Sequence, residues 1–98
     1  MQLPNPDLEI SDYKLYSVNH HLFVVTKQGL RKLDIRTVGA IYWGPQSDYY
    51  SNPTGEYEVD LPIEGYRFIT QNEADALTIF NFIQSLMLEG AFNDSTLV

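Results

Sequence analysis

The sequence predicts an α+β fold: an antiparallel sheet or partly open barrel of five to seven strands, closed by one C-terminal amphipathic helix. Three observations carry this. Short runs rich in β-branched and aromatic residues, separated by turn residues, follow one another between Tyr13 and Thr70. A single sustained period of three and four residues then appears between Ala76 and Met87. All the strand signals precede the helix, whereas a parallel sheet alternates strands with helices. At 98 residues and 44% hydrophobic, the chain suffices for one domain with a modest core.

Residues 1–12, with two prolines in LPNPD, read as an extended arm that docks through Leu3, Leu8 and Ile10. YKLYSV and LFVVTK form two antiparallel strands across Asn19-His20-His21. Gln28-Gly29 supplies the next turn, and LRKLDI continues the meander. TVGAIYW is a further strand, with Gly39 at a bulge or a close approach. The stretch from Gly44 to Gly55, GPQSDYYSNPTG, concentrates breakers and reads as the longest loop. Glu56, Glu58 and Asp60 then alternate with Tyr57, Val59 and Leu61, which marks a strand with one wet and one buried face. Pro62 ends it, and Glu64-Gly65 turns the chain into YRFIT, making a hairpin.

The helix is expected from about Gln71 to Glu89. Thr70 and Glu73 have the spacing of a capping box. Ala76, Ile79, Phe80, Ile83, Leu86 and Met87 fall on one face, and Gly90 provides the stop. Phe82 and Leu88 lie off that stripe, so the buried face is broad or contributes to a dimer contact. The organisation expected is an arm at 1–12, one α+β domain at 13–90 and a flexible tail at 91–98.

Charge narrows the function classes. The net charge is −7, unevenly placed: the first 36 residues sum to +1, whereas the other 62 carry only Arg67 against nine acids. Phosphate-backbone binding draws affinity from clustered Lys and Arg, so direct nucleic-acid binding and adsorption to an anionic membrane are disfavoured. The absence of cysteine excludes disulfides and thiolate metal sites and leans toward a cytoplasmic location. The N-terminal residues have neither the basic nor the apolar region of a secretory signal.

No phosphate loop, serine-centred elbow or zinc-ligand spacing occurs. His20 and His21 are adjacent in a turn, where neighbouring side chains diverge, so no metal site is expected. Lys27, Arg31, Lys32 and Arg36 are not expected to converge, because adjacent strand residues face opposite sides. The reading is therefore non-enzymatic, with no cofactor. Large aromatics with polar tips are enriched as interface anchors; Trp43, Tyr49 and Tyr50, with Asp48 among them, form the candidate partner-binding set. Glu56, Glu58, Asp60 and Glu64 form a candidate acidic face, which either keeps the domain soluble or meets a basic surface.

Two segments, LFVVTKQGLRKLDIRTVGAIYW and YEVDLPIEGYRFITQNEADALTIFNFIQSL, resemble the pleckstrin-homology-like superfold in their order of strands, closing hairpin and helix, over about residues 13–89. About six strands are counted here; the seventh of that fold would come from the arm or the long loop. The resemblance implies a protein-interaction scaffold. Phosphoinositide-binding members hold the headgroup with basic residues near the first strand pair, where this chain offers only Lys14 and Lys27. The expected function is a small acidic protein-binding module acting through its aromatic loop. The alternative is a nucleic-acid-mimicking inhibitor, of the kind small acidic phage proteins use against host defence, acting through the acidic face. Pairing of the +1 segment with the −8 remainder of a second copy makes a homodimer a further expectation to test.

Overall fold

The computed structural model describes residues 5–96, and side chains up to Glu89. Among the described residues seven strands precede one helix: β1 (Leu8–Ile10), β2 (Tyr13–Val18), β3 (His21–Thr26), β4 (Gly29–Asp34), β5 (Tyr42–Ser47), β6 (Pro53–Leu61), β7 (Tyr66–Thr70) and α1 (Glu73–Thr96), with a 3-10 turn at Ile35–Thr37 between β4 and β5. The fold is α+β, but the strands do not make one sheet or a closed barrel. They form two antiparallel sheets, ordered β1-β2-β3-β4 and β5-β6-β7. The break between them has a local cause. The Asp34 carboxylate caps the 3-10 turn by accepting from the Arg36 amide, and Gly39 follows at φ +73°. The chain therefore leaves the first sheet before β5 begins, and the expected strand TVGAIYW is reduced to its last two residues.

Strand β1 arises inside the stretch read as an arm. Leu8 pairs with Leu15 and Ile10 with Tyr13, and both Leu8 and Ile10 pack against the core; Leu3 lies outside the described residues. The Gly44–Gly55 stretch is mostly sheet, contrary to the reading as a long loop. Gly44 and Pro45 sit on β5, an edge strand, where a missing amide donor is tolerated, and Pro53 opens β6. A register shift between Pro45 and Ser47 absorbs the remaining irregularity.

The inner faces of both sheets and one side of α1 share a single core containing Leu15, Leu22, Val24, Leu33, Val59, Leu61, Phe68, Ala76, Ile79 and Ile83. Phe80, Phe82, Leu86 and Met87 pack on its margin, so Phe82 broadens the buried face of the helix, whereas Leu88 is exposed. Tyr13, Phe68 and Tyr66 stack edge to face at 5.0 and 4.9 Å. The Tyr13 hydroxyl also accepts from the Ile69 amide at 2.8 Å, a direct link from β2 to β7 across the gap between the sheets.

The helix start differs from the expected capping box. Thr70 is fully buried on β7 and donates to the Asn72 carbonyl, while the Asn72 side chain accepts from the Asp75 amide at 2.9 Å. Asn72 is thus the cap, because Thr70 remains in the sheet. The far end differs as well. Gly90 does not stop the helix, which continues to Thr96; a glycine inside a helix costs only about 1 kcal/mol relative to alanine. Of the expected tail, residues 91–96 are helical and 97–98 lie outside the described residues. No helix among the described residues is long and apolar enough to cross a membrane.

Candidate protein-interaction site

The β5–β6 hairpin closes through five residues, Asp48 to Asn52. Their composition forbids strand continuation and favours side-chain capture of the backbone. Asp48 organises the turn. One carboxylate oxygen accepts from the Tyr50 amide at 2.8 Å and from the Asn52 amide at 2.9 Å. The Asp48 amide donates to the Asn52 carbonyl at 2.8 Å, and the Ser51 amide to the Asp48 carbonyl at 3.0 Å. Ser51 takes a left-handed φ of +67° to complete the reversal. Below the tip, the Thr54 hydroxyl donates to the Gln46 side chain at 2.9 Å, bridging the hairpin where the register shifts.

This framework carries Tyr49 and Tyr50, which are 94% and 78% exposed and stand edge to face at 5.3 Å. Two large aromatic surfaces are thus offered to solvent on a turn whose backbone is fixed by one carboxylate. Neither phenol packs into the domain. Asp48 lies in the same constellation, but its role is internal: its side chain holds the turn.

Trp43 is placed elsewhere. It pairs with Val59, whose side chain faces the core, so the indole lies on the inner side of β5 at the sheet margin, 38% exposed. Four residue steps along the strand separate it from Ser47, roughly 14 Å. The structure therefore brings Asp48, Tyr49 and Tyr50 together and leaves Trp43 apart, near the side where α1 packs against β5. Tyr42, exposed on the opposite face of the strand, was not among the expected partner-binding residues; only the strand phase separates it from Trp43.

The acidic residues prove to be engaged. Glu58 and Asp60 share the outer face of β6, and Arg67 on β7 lies across from Asp60 with its guanidinium 2.8 Å from Glu58 and 3.9 Å from Asp60. The Glu58 oxygen nearest Arg67 is buried and makes no aligned hydrogen bond, so this is an ion contact alone. Glu56 accepts from the Gln71 amide group at 2.9 Å, and Glu64, in the β6–β7 turn, accepts from the Thr37 hydroxyl at 2.7 Å. The four carboxylates do not form an unbroken row of free charge.

The basic residues do not converge either. Arg31 points to the inner side of β4 and Lys32 to the outer, since their cross-strand partners are Val24 and Phe23. The Arg31 guanidinium lies 5.5 Å from the Tyr66 ring centre and donates to the Glu64 carbonyl at 3.0 Å. Burial, with a lesser contribution from Tyr13, pushes the Tyr66 phenol above its ordinary 10.0, while Arg31 opposes the shift. Arg36 donates to Asp34 through its side chain, holding that carboxyl down at about 2. An open groove of about 360 Å³ at the β3–β4 turn is lined by Tyr13, Thr26, Gln28, Arg31, Tyr66 and Arg67 among others. Both of its guanidinium groups already have partners in the domain.

His20 is exposed and His21 stacks against Phe23 at 6.2 Å. Among the described residues no group of three His, Cys, Asp or Glu side chains has the arrangement to hold a metal ion. Comparison with protein-family models, curated proteins and solved structures finds no match for this chain.

Proposed function

We propose that this chain is a non-enzymatic, cytoplasmic protein-binding module that engages its partner through the tip of the β5–β6 hairpin. The observation that carries this reading is the pair Tyr49 and Tyr50, almost wholly exposed on a turn pinned by Asp48. Exposed aromatic area on a fixed backbone suits recognition, because ordering entropy is already lost before the partner arrives and tyrosine adds contact area with few rotatable bonds. The pleckstrin-homology-like resemblance belongs to the same reading. It is supported by the division into four and three antiparallel strands followed by one helix, with β1 supplied by the arm. Fold alone does not assign a partner.

The rival reading, a mimic of a nucleic-acid backbone, relies on Asp48, Glu56, Glu58, Asp60 and Glu64. It is weakened by the partners these groups hold: Arg67, Gln71, Thr37 and the turn amides. Salt separates the two. Capture of a partner from host lysate at low and high ionic strength should persist at high salt and fail for Tyr49→Ala combined with Tyr50→Ala, since aromatic contact is not screened. Capture that collapses with salt and ignores the tyrosines would transfer the function to the acidic face.

A further inference from the structure

The four-stranded sheet has an outer face whose centre is apolar. Its residues follow from the register: Lys14 opposite Val25 and Val25 opposite Leu30, Tyr16 opposite Phe23 and Phe23 opposite Lys32, Val18 opposite His21. Leu15, Leu22, Val24 and Leu33 alternate with these and are buried, so the rows just named point outward. A solvated face of an antiparallel sheet ordinarily carries polar residues. Here Tyr16, Phe23 and Val25 fill the centre, with Val18 50% and Leu30 66% exposed at its ends.

Among the described residues, five charged ones share this face in an ordered arrangement. Asp7 and Glu9 border it at β1. Asp7 lies one residue beyond the β1 pairing, beside Tyr16, with its amide on the Leu15 carbonyl and its carboxylate accepting from the Ser17 amide. Lys32 borders it at β4, and Lys14 sits next to Glu9. Asp34 is tied to Arg36. The face is close to neutral in a chain of net charge −7. Its β1 border is acidic, and with Asp34 offset by Arg36 the charge left on its β4 border is that of Lys32.

The row Asp7-Tyr16-Phe23-Lys32 is self-complementary. A twofold axis parallel to the strands lays β1 of one copy over β4 of the other and β2 over β3. Tyr16 then meets Phe23 of the second copy, and Lys32 meets the second copy's Asp7, each contact made twice. Aligned sheets cross at about 30°, so the opposition holds by row and not atom by atom. We propose that this face is the interface of a homodimer, in which two copies stack their four-stranded sheets about that axis. The contact is isologous and therefore closes at two copies. It is independent of the reading of the hairpin tip, which belongs to the other sheet.

Sedimentation equilibrium of the full chain across the micromolar to submillimolar range tests the proposal. The expected result is a concentration-dependent dimer for the parent chain and a monomer for Phe23→Lys with unchanged far-ultraviolet dichroism. If Phe23→Lys does not fold, Leu30→Lys at the exposed end of the same face serves in its place. Lys32→Asp should weaken the dimer by about tenfold, the size of two rim pairs reversed, and adding Asp7→Lys should restore it. A parent chain monomeric throughout, a dimer indifferent to both apolar-to-lysine variants, or a charge reversal without rescue would each overturn the proposal, the last by removing the twofold geometry. A monomer that uses this face for a different protein would overturn it too.

Discussion

The two sheets share a core yet treat their outer faces in opposite ways. On the three-stranded sheet the outward positions of β6 are acids, answered by Arg67 from β7. On the four-stranded sheet the outward positions of β2 and β3 are largely aromatic and aliphatic. The fully buried side chains of both inner faces are aliphatic apart from Phe68 and Thr70. A strand whose two faces differ in polarity declares which side is inside, and β6 does so. A strand apolar on both sides declares only that it is a strand.

The largest expected effect tests whether the two sheets depend on one core. Phe68→Ala removes a fully buried ring held between Tyr13 and Tyr66 and should destabilise by about 3–5 kcal/mol in urea denaturation. A loss under about 1 kcal/mol, the mean for an arbitrary substitution, would mean the sheets are separately stable. Ile83→Ala on the helix should lose about 2–5 kcal/mol by the same mechanism. A surface-like loss below about 0.5 kcal/mol would place the wrong helix face inward.

Tyr13→Phe keeps the ring and deletes the hydroxyl that joins β2 to β7. Leaving the Ile69 amide without its acceptor should cost about 1–3 kcal/mol. Amide exchange at Ile69 should accelerate more than at Phe68, which remains paired with Val59; equal acceleration would show the whole β7 edge loosening instead. On the charged outer face, Arg67→Ala should destabilise by under about 1 kcal/mol, because the guanidinium is half exposed and water screens what it leaves behind. A loss several times larger, read in the same denaturation series, would make the Glu58 contact a buried pair in energetic terms.

The smallest effects are in pH. Asp34 has a folded value of about 2 against an ordinary 3.8, so its contribution is present above 3.8 and lost as pH falls through about 2. Arg36→Ala should shrink that acid limb in a stability–pH curve and leave the part that the amide at position 36 sustains. Tyr66 is shifted the other way, so its contribution holds below 10.0 and is lost as pH rises beyond it. Tyrosinate absorbance should show one late-titrating phenol that Tyr66→Phe removes.

Much of this was legible in the sequence, for identifiable reasons. Strand signals for β2, β3, β4, β6 and β7 lay in turn residues and β-branched runs, and the apolar period of α1 picked out Ala76, Ile79 and Ile83 correctly. The stretch Gly44–Gly55 was misread because glycine and proline break central strands but are tolerated at the edge position that β5 occupies, and edge position is a property of the tertiary fold. Thr70 had the right spacing for a cap, yet pairing with Tyr57 held it in β7. At the candidate site, the exposure of Tyr49 and Tyr50 followed from the breakers around them. The inward role of Asp48 and the bridge from Tyr13 to Ile69 had no sequence signal, since each depends on contacts made only after the chain has turned.

The hairpin tip separates two kinds of residue that most loops mix. Closure rests on Asp48, Ser51 and Asn52, through bonds confined to those positions and the Tyr50 amide, to which any side chain but proline can be attached. The side chains at positions 49 and 50 contribute surface alone. Changes at these two positions can therefore accumulate without refolding the turn, which makes the tip an evolvable cassette on a constant frame. A library varied at 49 and 50, with 48, 51 and 52 held, should yield folded members at nearly every combination that omits proline.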